Sequence, residues 1–172
     1  MRKAAQRRNR RLFITSIALL LATIPAAVRA QQSYDMRLVQ TEDRFELTVR
    51  IEVRLTQPAA IGDAIAAVAY DNRFFGRPSY TASGVFARPP YDEPELILRE
   101  GVAYVGLYYP YARTGGMAPP ISGWTEIGVL LLPKCGKSST PCRLLLEECG
   151  LLTDRGEEAQ REPYTINNTQ TR

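Results

Sequence analysis

The sequence predicts an all-β protein, a two-sheet antiparallel β-sandwich of jelly-roll or immunoglobulin-like type preceded by a signal peptide. Three observations carry this expectation. Residues 45–55 alternate apolar and polar side chains without a break. Seven to nine short hydrophobic segments follow one another, separated by turns rich in Gly, Pro, Asn and Asp. No segment repeats its apolar residues at the helical period.

The chain opens with a basic stretch, Met1–Arg11, holding Arg2, Lys3, Arg7, Arg8, Arg10 and Arg11 and no acid, followed by the apolar run Leu12–Ile24. Pro25 ends that run, and Val28-Arg29-Ala30 supplies a signal-peptidase site, so cleavage is expected before Gln31. An uncleaved membrane anchor is the alternative, but the apolar run falls short of the ~20 residues of a spanning helix. The expected organisation is therefore a signal peptide over 1–30, a sandwich over 31–156 and a polar tail over 157–172.

This segment also explains the charge. The chain carries 22 basic and 18 acidic residues, a formal +4. Seven of the basic residues lie in residues 1–30, so the remainder has 15 against 18, a net charge of −3. Such a surface offers no phosphate-backbone affinity, and no nucleic-acid partner is expected. The membrane is expected to be met only through the signal segment during export, which implies a secreted or cell-surface location, the periplasm included.

The elements follow in order. In Phe45–Leu55, the residues Phe45, Leu47, Val49, Ile51, Val53 and Leu55 point to one face and Glu46, Thr48, Arg50, Glu52 and Arg54 to the other. Tyr34–Thr41 alternates more weakly, and Glu42-Asp43 forms the turn of an opening hairpin. Ile61–Tyr70 reads as a buried central strand ending at the turn Asp71-Asn72, although its alanines would also suit a short helix. The Pro-rich stretch 73–94 is a long connection with one short strand over Tyr80–Ala87. Glu95–Glu100 and Val102–Tyr109 form a second hairpin about Glu100-Gly101. A Gly/Pro loop spans Pro110–Pro120. Gly123–Leu132 is a strand whose end, Val129–Leu132, is expected to be buried on both sides. Arg143–Leu152 is the last core strand, with Pro163–Asn167 a short edge strand.

Four groups of residues are candidates for chemistry. Cys135, Cys142 and Cys149 recur at seven-residue intervals, and in an oxidising compartment at least one disulfide is expected, Cys135–Cys142 or Cys135–Cys149. Cys142 and Cys149 would face opposite sides of one strand. Tyr104, Tyr108, Tyr109, Tyr111 and Trp124 form an aromatic group, with Tyr109, Tyr111 and Trp124 the candidate ligand-binding rings; packing across strands is the competing role. Asp71, Asp92, Glu93 and Glu95 lack the spacing of a calcium loop or a paired catalytic site and read as solvated loop charges. Ser122, Ser138 and Ser139 have no His to activate them, since the chain contains none, and pairing with Lys134 or Lys137 has no supporting motif. No metal site and no cofactor is expected, and the chain is read as a non-enzyme. Asn167-Asn168-Thr169 matches a glycosylation sequon by chance in this export context.

The order of these segments carries a resemblance. The alternating strand 45–55, then Ile61-Gly62-Asp63-Ala64-Ile65-Ala66-Ala67-Val68-Ala69-Tyr70-Asp71, a variable loop, a Tyr-rich strand and Gly123-Trp124-Thr125-Glu126-Ile127-Gly128-Val129-Leu130 is similar to the cohesin and carbohydrate-binding-module superfamily of secreted bacterial β-sandwiches. It covers residues 34–153. The resemblance implies a non-catalytic module for protein or carbohydrate binding or adhesion at the cell surface. It transfers no binding residues, and the three-Cys tail departs from the pattern. The alternative is a structural subunit of an extracellular filament or layer, in which Gln31–Asp35 or the tail Glu157–Arg172 completes the sheet edge of a neighbouring copy.

Overall fold

The computed structural model describes residues 32–89, 91–109, 118–135 and 144–162 and the backbone of 169–171. The expected signal segment, Tyr111, Cys142 and the edge strand expected at Pro163–Asn167 lie outside them.

The opening hairpin is β1 (Ser33–Glu42) and β2 (Glu46–Leu55), paired antiparallel from Tyr34↔Leu55 to Glu42↔Leu47. Its turn is set by Asp43, whose Oδ1 accepts the backbone N–H of Phe45 at 2.6 Å and of Glu46 at 2.8 Å. That turn removes Phe45 from the strand. The sequence places it on the apolar face, whereas the structure leaves it 72% exposed at the hairpin tip. The other five, Leu47 to Leu55, are buried in the core as their alternation predicts.

β3 (Ala59–Ala69) is the central strand of the second sheet, so the alanine-rich segment is extended and not helical. It pairs with β6 on one side and β9 on the other, and Ala64, Ala66 and Val68 face the core. Small side chains suit a position walled by two neighbouring strands and the facing sheet. The turn after it is held by Asp71, which accepts the Arg73 N–H at 3.0 Å and pairs with the Arg73 guanidinium at 2.6 Å. Those bonds to Arg73 hold the Asp71 carboxyl down at about 2.

β4 (Ser79–Ala82) is shorter than the expected strand because Gly84, at φ 56°, turns the chain into a 3-10 turn over Gly84–Ala87. Phe86 from that turn, Tyr91 and Tyr109 stack edge to face, with centroids 5.0 and 5.5 Å apart, and plug one end of the core. β5 (Glu95–Arg99) and β6 (Val102–Leu107) form the second hairpin. Its two-residue turn uses Glu100 at φ 39° and Gly101 at φ 85°, where a side chain on residue 101 would also press on the Tyr70 carbonyl.

β7 (Pro120–Ile121) pairs briefly with β3, and β8 (Thr125–Pro133) joins β2 to β4. The end of β8 is buried on one side only. Leu130 and Leu132 are buried, while Val129 and Leu131 are half-buried, because among the described residues no layer lies above the sheet at their position. β9 (Leu145–Thr153) follows. β10 (Gln160–Arg161) and β11 (Thr169–Thr171) then run parallel to β1 along its outer edge.

The result is two sheets, one ordered β10-β1-β2-β8-β4 with β11 also on β1, the other β5-β6-β3-β7 with β9 on the far side of β3. The core lies between them, lined by Met36, Ile51, Ile61, Val68, Ala103 and Leu130, all fully enclosed. The chain crosses one seam at 157–162. There Ala159 donates its N–H to Leu151 of the second sheet, while Gln160 and Glu162 donate to Gln32 and Tyr34 of the first. The described tail residues therefore complete the edge of their own β1, whereas in the filament alternative the tail would complete the edge of a neighbouring copy.

Candidate functional site

Each sheet has one face turned away from the core, and the two differ in chemistry. On the first sheet, β1 and β2 place opposite charges directly across from one another, Arg37 against Glu52 and Asp35 against Arg54. The ion pairs close at 2.6 Å and 3.5 Å, and Arg50 lies 3.9 Å from Glu126. Trp124 joins this surface. The guanidinium carbons of Arg37 and Arg54 sit 4.0 and 4.9 Å from its ring centroid. The charges here are paired with their neighbours, although Asp35 Oδ1 is buried without a hydrogen-bond partner among the described residues.

The outer face of the second sheet is apolar. Of the five large hydrophobic side chains exposed among the described residues, three stand on it: Ile65 at 43%, Ile97 at 39% and Leu145 at 44%. The registers arrange them in rows. Glu95, Gly106, Ile65 and Gly150 lie side by side across β5, β6, β3 and β9. The next row is Ile97, Tyr104, Ala67 and Glu148, and the third is Arg99, Val102, Ala69 and Leu145.

Ile65 is thus flanked by two glycines. At Gly106 the Tyr108 ring fills the space; an added Cβ would fall 2.6 Å from its oxygen. At Gly150 an added Cβ would meet nothing within 4 Å, so Ile65 borders a stretch of open backbone. Tyr108 donates its hydroxyl to Glu95 Oε2 at 2.9 Å. Burial first, and then this carboxylate, raise its phenol above the ordinary value. Ile65, Ile97, Tyr104 and Tyr108, with Glu95 and Arg99, line a shallow hollow of about 180 Å³. Flat, apolar and edged by charge, this surface suits a protein partner better than a small molecule.

The candidate residues fall in several places. Tyr109 is buried, 5% exposed, with its N–H on Asp63 Oδ1 at 2.9 Å, so it packs the core and presents no ring to a ligand. The outward ring is its neighbour Tyr108, because strand alternation sends adjacent residues to opposite faces. Trp124 lies on the other sheet from Tyr108, under two arginines, and the two rings form no common platform. Among the described residues, Cys135 and Cys149 carry no disulfide; the expected Cys135–Cys142 pairing lies outside the described residues. The pairing of Cys135 with Cys149 on a neighbouring strand is not realised. Cys135 follows β8 in the first sheet and bonds through its N–H to Phe74, whereas Cys149 sits in β9 of the second. Burial raises the Cys149 thiol above its ordinary value, against the Tyr34 hydroxyl 3.5 Å from its sulfur, which lowers it. Among the described residues, no three His, Cys, Asp or Glu side chains cluster as metal ligands.

The apolar face itself is not evident in the sequence. In β3 both the inward set (Ala64, Ala66, Val68) and the outward set (Ile65, Ala67, Ala69) are apolar, so alternation gives no signal. The one available cue is Glu95-Leu96-Ile97-Leu98-Arg99, where a large aliphatic residue shares a face with two charges.

No protein-family model matches the chain, and no curated protein is similar to it in sequence. Solved structures are similar in fold. One is a type I cohesin from Clostridium thermocellum in complex with a dockerin, with TM-score 0.59 and 11% identity, covering 81% of this chain and 99% of that one. Another is the sixth cohesin of scaffoldin B from Acetivibrio cellulolyticus in complex with a dockerin, with TM-score 0.55 and 12% identity over 83% and 100%. A third is the seventh type I cohesin of ScaB from Pseudobacteroides cellulosolvens, with TM-score 0.55 and 12% identity over 81% and 88%. The fold is therefore a cohesin-like β-sandwich, as the segment order in the sequence implies.

Proposed function

We propose that this chain is a non-catalytic, exported protein-binding module whose docking surface is the outer face of β5, β6, β3 and β9. The observation that supports it is the concentration of Ile65, Ile97 and Leu145 on one sheet face, while the opposite face is occupied by paired charges. Two of the cohesins of similar fold were solved in complex with dockerins, which favours a protein partner. The basic and apolar segment at 1–30 favours export, with cleavage before Gln31, and a place at the cell surface or in the surrounding medium. The module would span the residues that follow, its C-terminal segment closing the edge of β1.

The test is affinity capture with three immobilised proteins: the parent, Ile65→Asp and Thr48→Asp, the last on the outer face of the other sheet. A partner held by the parent and by Thr48→Asp but lost with Ile65→Asp supports the reading. Equal retention on all three, or loss with Thr48→Asp alone, overturns it.

A further inference from the structure

A sandwich has four sheet edges, and three of them here are closed or blunted. The edge of β1 is covered by β10 and β11. β4 is four residues long and follows Pro78. β9 carries a register irregularity opposite Ala67/Val68, exposes Glu147 and Glu148, and is bridged at its far end by Leu152↔Glu158. These are the ordinary defences against strand addition. β5 is guarded less than these: its two exposed charges, Glu95 and Arg99, are of opposite sign and so do not repel an antiparallel copy of the same strand. It pairs with β6 alone among the described residues, holds no proline or bulge, and exposes or half-exposes all five of its side chains.

The hydrogen-bonding parity of this edge follows from the hairpin. The two-residue turn makes Arg99↔Val102 a hydrogen-bonded pair, and such pairs recur at Ile97↔Tyr104 and Glu95↔Gly106. The N–H and C=O groups of Leu96 and Leu98 therefore point to the open side. Pro94, which shares their parity, has no N–H to offer and ends the usable stretch.

We infer that β5 is a homodimerisation edge, on which the β5 of a second copy adds antiparallel about a two-fold axis through Ile97. This register places Leu96 opposite Leu98 of the partner copy, and vice versa, so all four open N–H and C=O groups are satisfied. It sets the two Ile97 side chains against each other on the outer face. It also sets Glu95 of each copy against Arg99 of the other. Both are exposed and, among the described residues, neither has an ion-pair partner within its own chain; Glu95 accepts only from Tyr108, and Arg99 lies 5.8 Å from the Tyr104 ring centroid. Leu96 and Leu98, turned toward the core yet half-exposed, gain cover from their counterparts. The sequence Glu-Leu-Ile-Leu-Arg is complementary to itself in this one antiparallel register, and the two-fold closes the assembly at two copies. The inference concerns the open backbone edge of β5; Ile97, Glu95 and Arg99 also border the docking face, whereas Ile65 and Leu145 lie on other strands and take no part in it.

Sedimentation velocity over a concentration series tests it with the two charge reversals Glu95→Arg and Arg99→Glu. The parent is expected to reach twice the monomer mass. Each variant alone faces like charges across the axis at two places and is expected to stay at half the parent's dimer mass. An equimolar mixture of the two variants restores opposite charges at both places and is expected to recover the dimer, which also shows that both are folded. A parent monomeric at every concentration, single variants that dimerise like the parent, or a mixture that stays monomeric while the parent dimerises would each overturn the inference. Ile65→Asp is expected to leave the dimer intact, which separates this result from the fate of the docking face.

Discussion

The phenol of Tyr34 donates to the backbone carbonyl oxygen of Cys149 over 2.9 Å, tying β1 of one sheet to β9 of the other. Tyr34 is only 2% exposed, and its ring fills the seam that residues 157–162 close from outside. At this part-buried seam the tyrosine hydroxyl takes the place that water would hold on the Cys149 carbonyl. The bond is therefore both an inter-sheet clasp and a requirement for burying the ring at that place.

Tyr34→Phe keeps the ring and removes the donor. Equilibrium urea unfolding is expected to show a loss of about 1 kcal/mol, the usual value of one such bond. Cys149→Ser leaves the backbone acceptor in place and is expected to retain the Tyr34 contribution. If Tyr34→Phe matches the parent midpoint, the clasp carries no stability.

Gly128 marks a second close contact. The ring of Tyr80, from β4, occupies the space that a side chain at residue 128 would take. Gly128→Ala is expected to destabilise by about 1–3 kcal/mol, the cost of overpacking a filled site. In a Tyr80→Ala background the same substitution should cost much less. Equal costs in the two backgrounds, measured as a double-mutant cycle, would place the strain elsewhere.

Both tyrosines make the fold sensitive to alkali. Burial raises the Tyr80 phenol from 10.0 to about 12, and burial together with the Cys149 contact raises Tyr34 as well. A phenol that ionises later in the folded state than in the unfolded one favours folding while it is protonated. Its contribution is whole below pH 10 and is lost as pH climbs toward the folded value. The unfolding midpoint should accordingly hold steady up to about pH 10 and fall beyond it. Tyr80→Phe is expected to shallow that fall, and an unchanged slope would exclude Tyr80 as its source.

The two described thiols should react in order. Cys135 is exposed, whereas Cys149 is half-buried, with its thiol raised by desolvation. Access favours the first, and the raised thiol of Cys149 holds back the second. Brief alkylation of the folded protein, followed by peptide mass mapping, is expected to label Cys135 well before Cys149. Labelling at similar rates would show that β9 opens readily; no label at Cys135 before reduction would show it held in a disulfide.

Much of the fold is legible along the chain because its cause is local. The ten residues of alternating polarity in β2 can satisfy one wet and one dry face only as a strand, and Asp43, Asp71 and the Glu100-Gly101 pair mark turns through bonds or φ values confined to a few residues. Where the expectation fails, a contact from elsewhere intervenes. Phe45 leaves the apolar face because Asp43 claims its N–H, and the strand at Tyr80 stops at Ala82 because Gly84 turns left-handed. Tyr109 is buried because Phe86 and Tyr91 come to meet it from a loop with no periodic pattern. The same holds for the cysteines, whose regular spacing says nothing about which sheet each will join.

Read alone, the chain settles the strand content, the turns, the sandwich class and the charge balance of the residues after 30, since each depends on neighbours a few positions apart. The tertiary structure decides which outward face remains apolar, which edge remains open and which rings are enclosed. Those properties belong to pairings between distant segments, such as Ile65 between Gly106 and Gly150 or Tyr34 against Cys149. A side chain's exposure is fixed by what register sets beside it, and register is a relation between strands that no single strand contains.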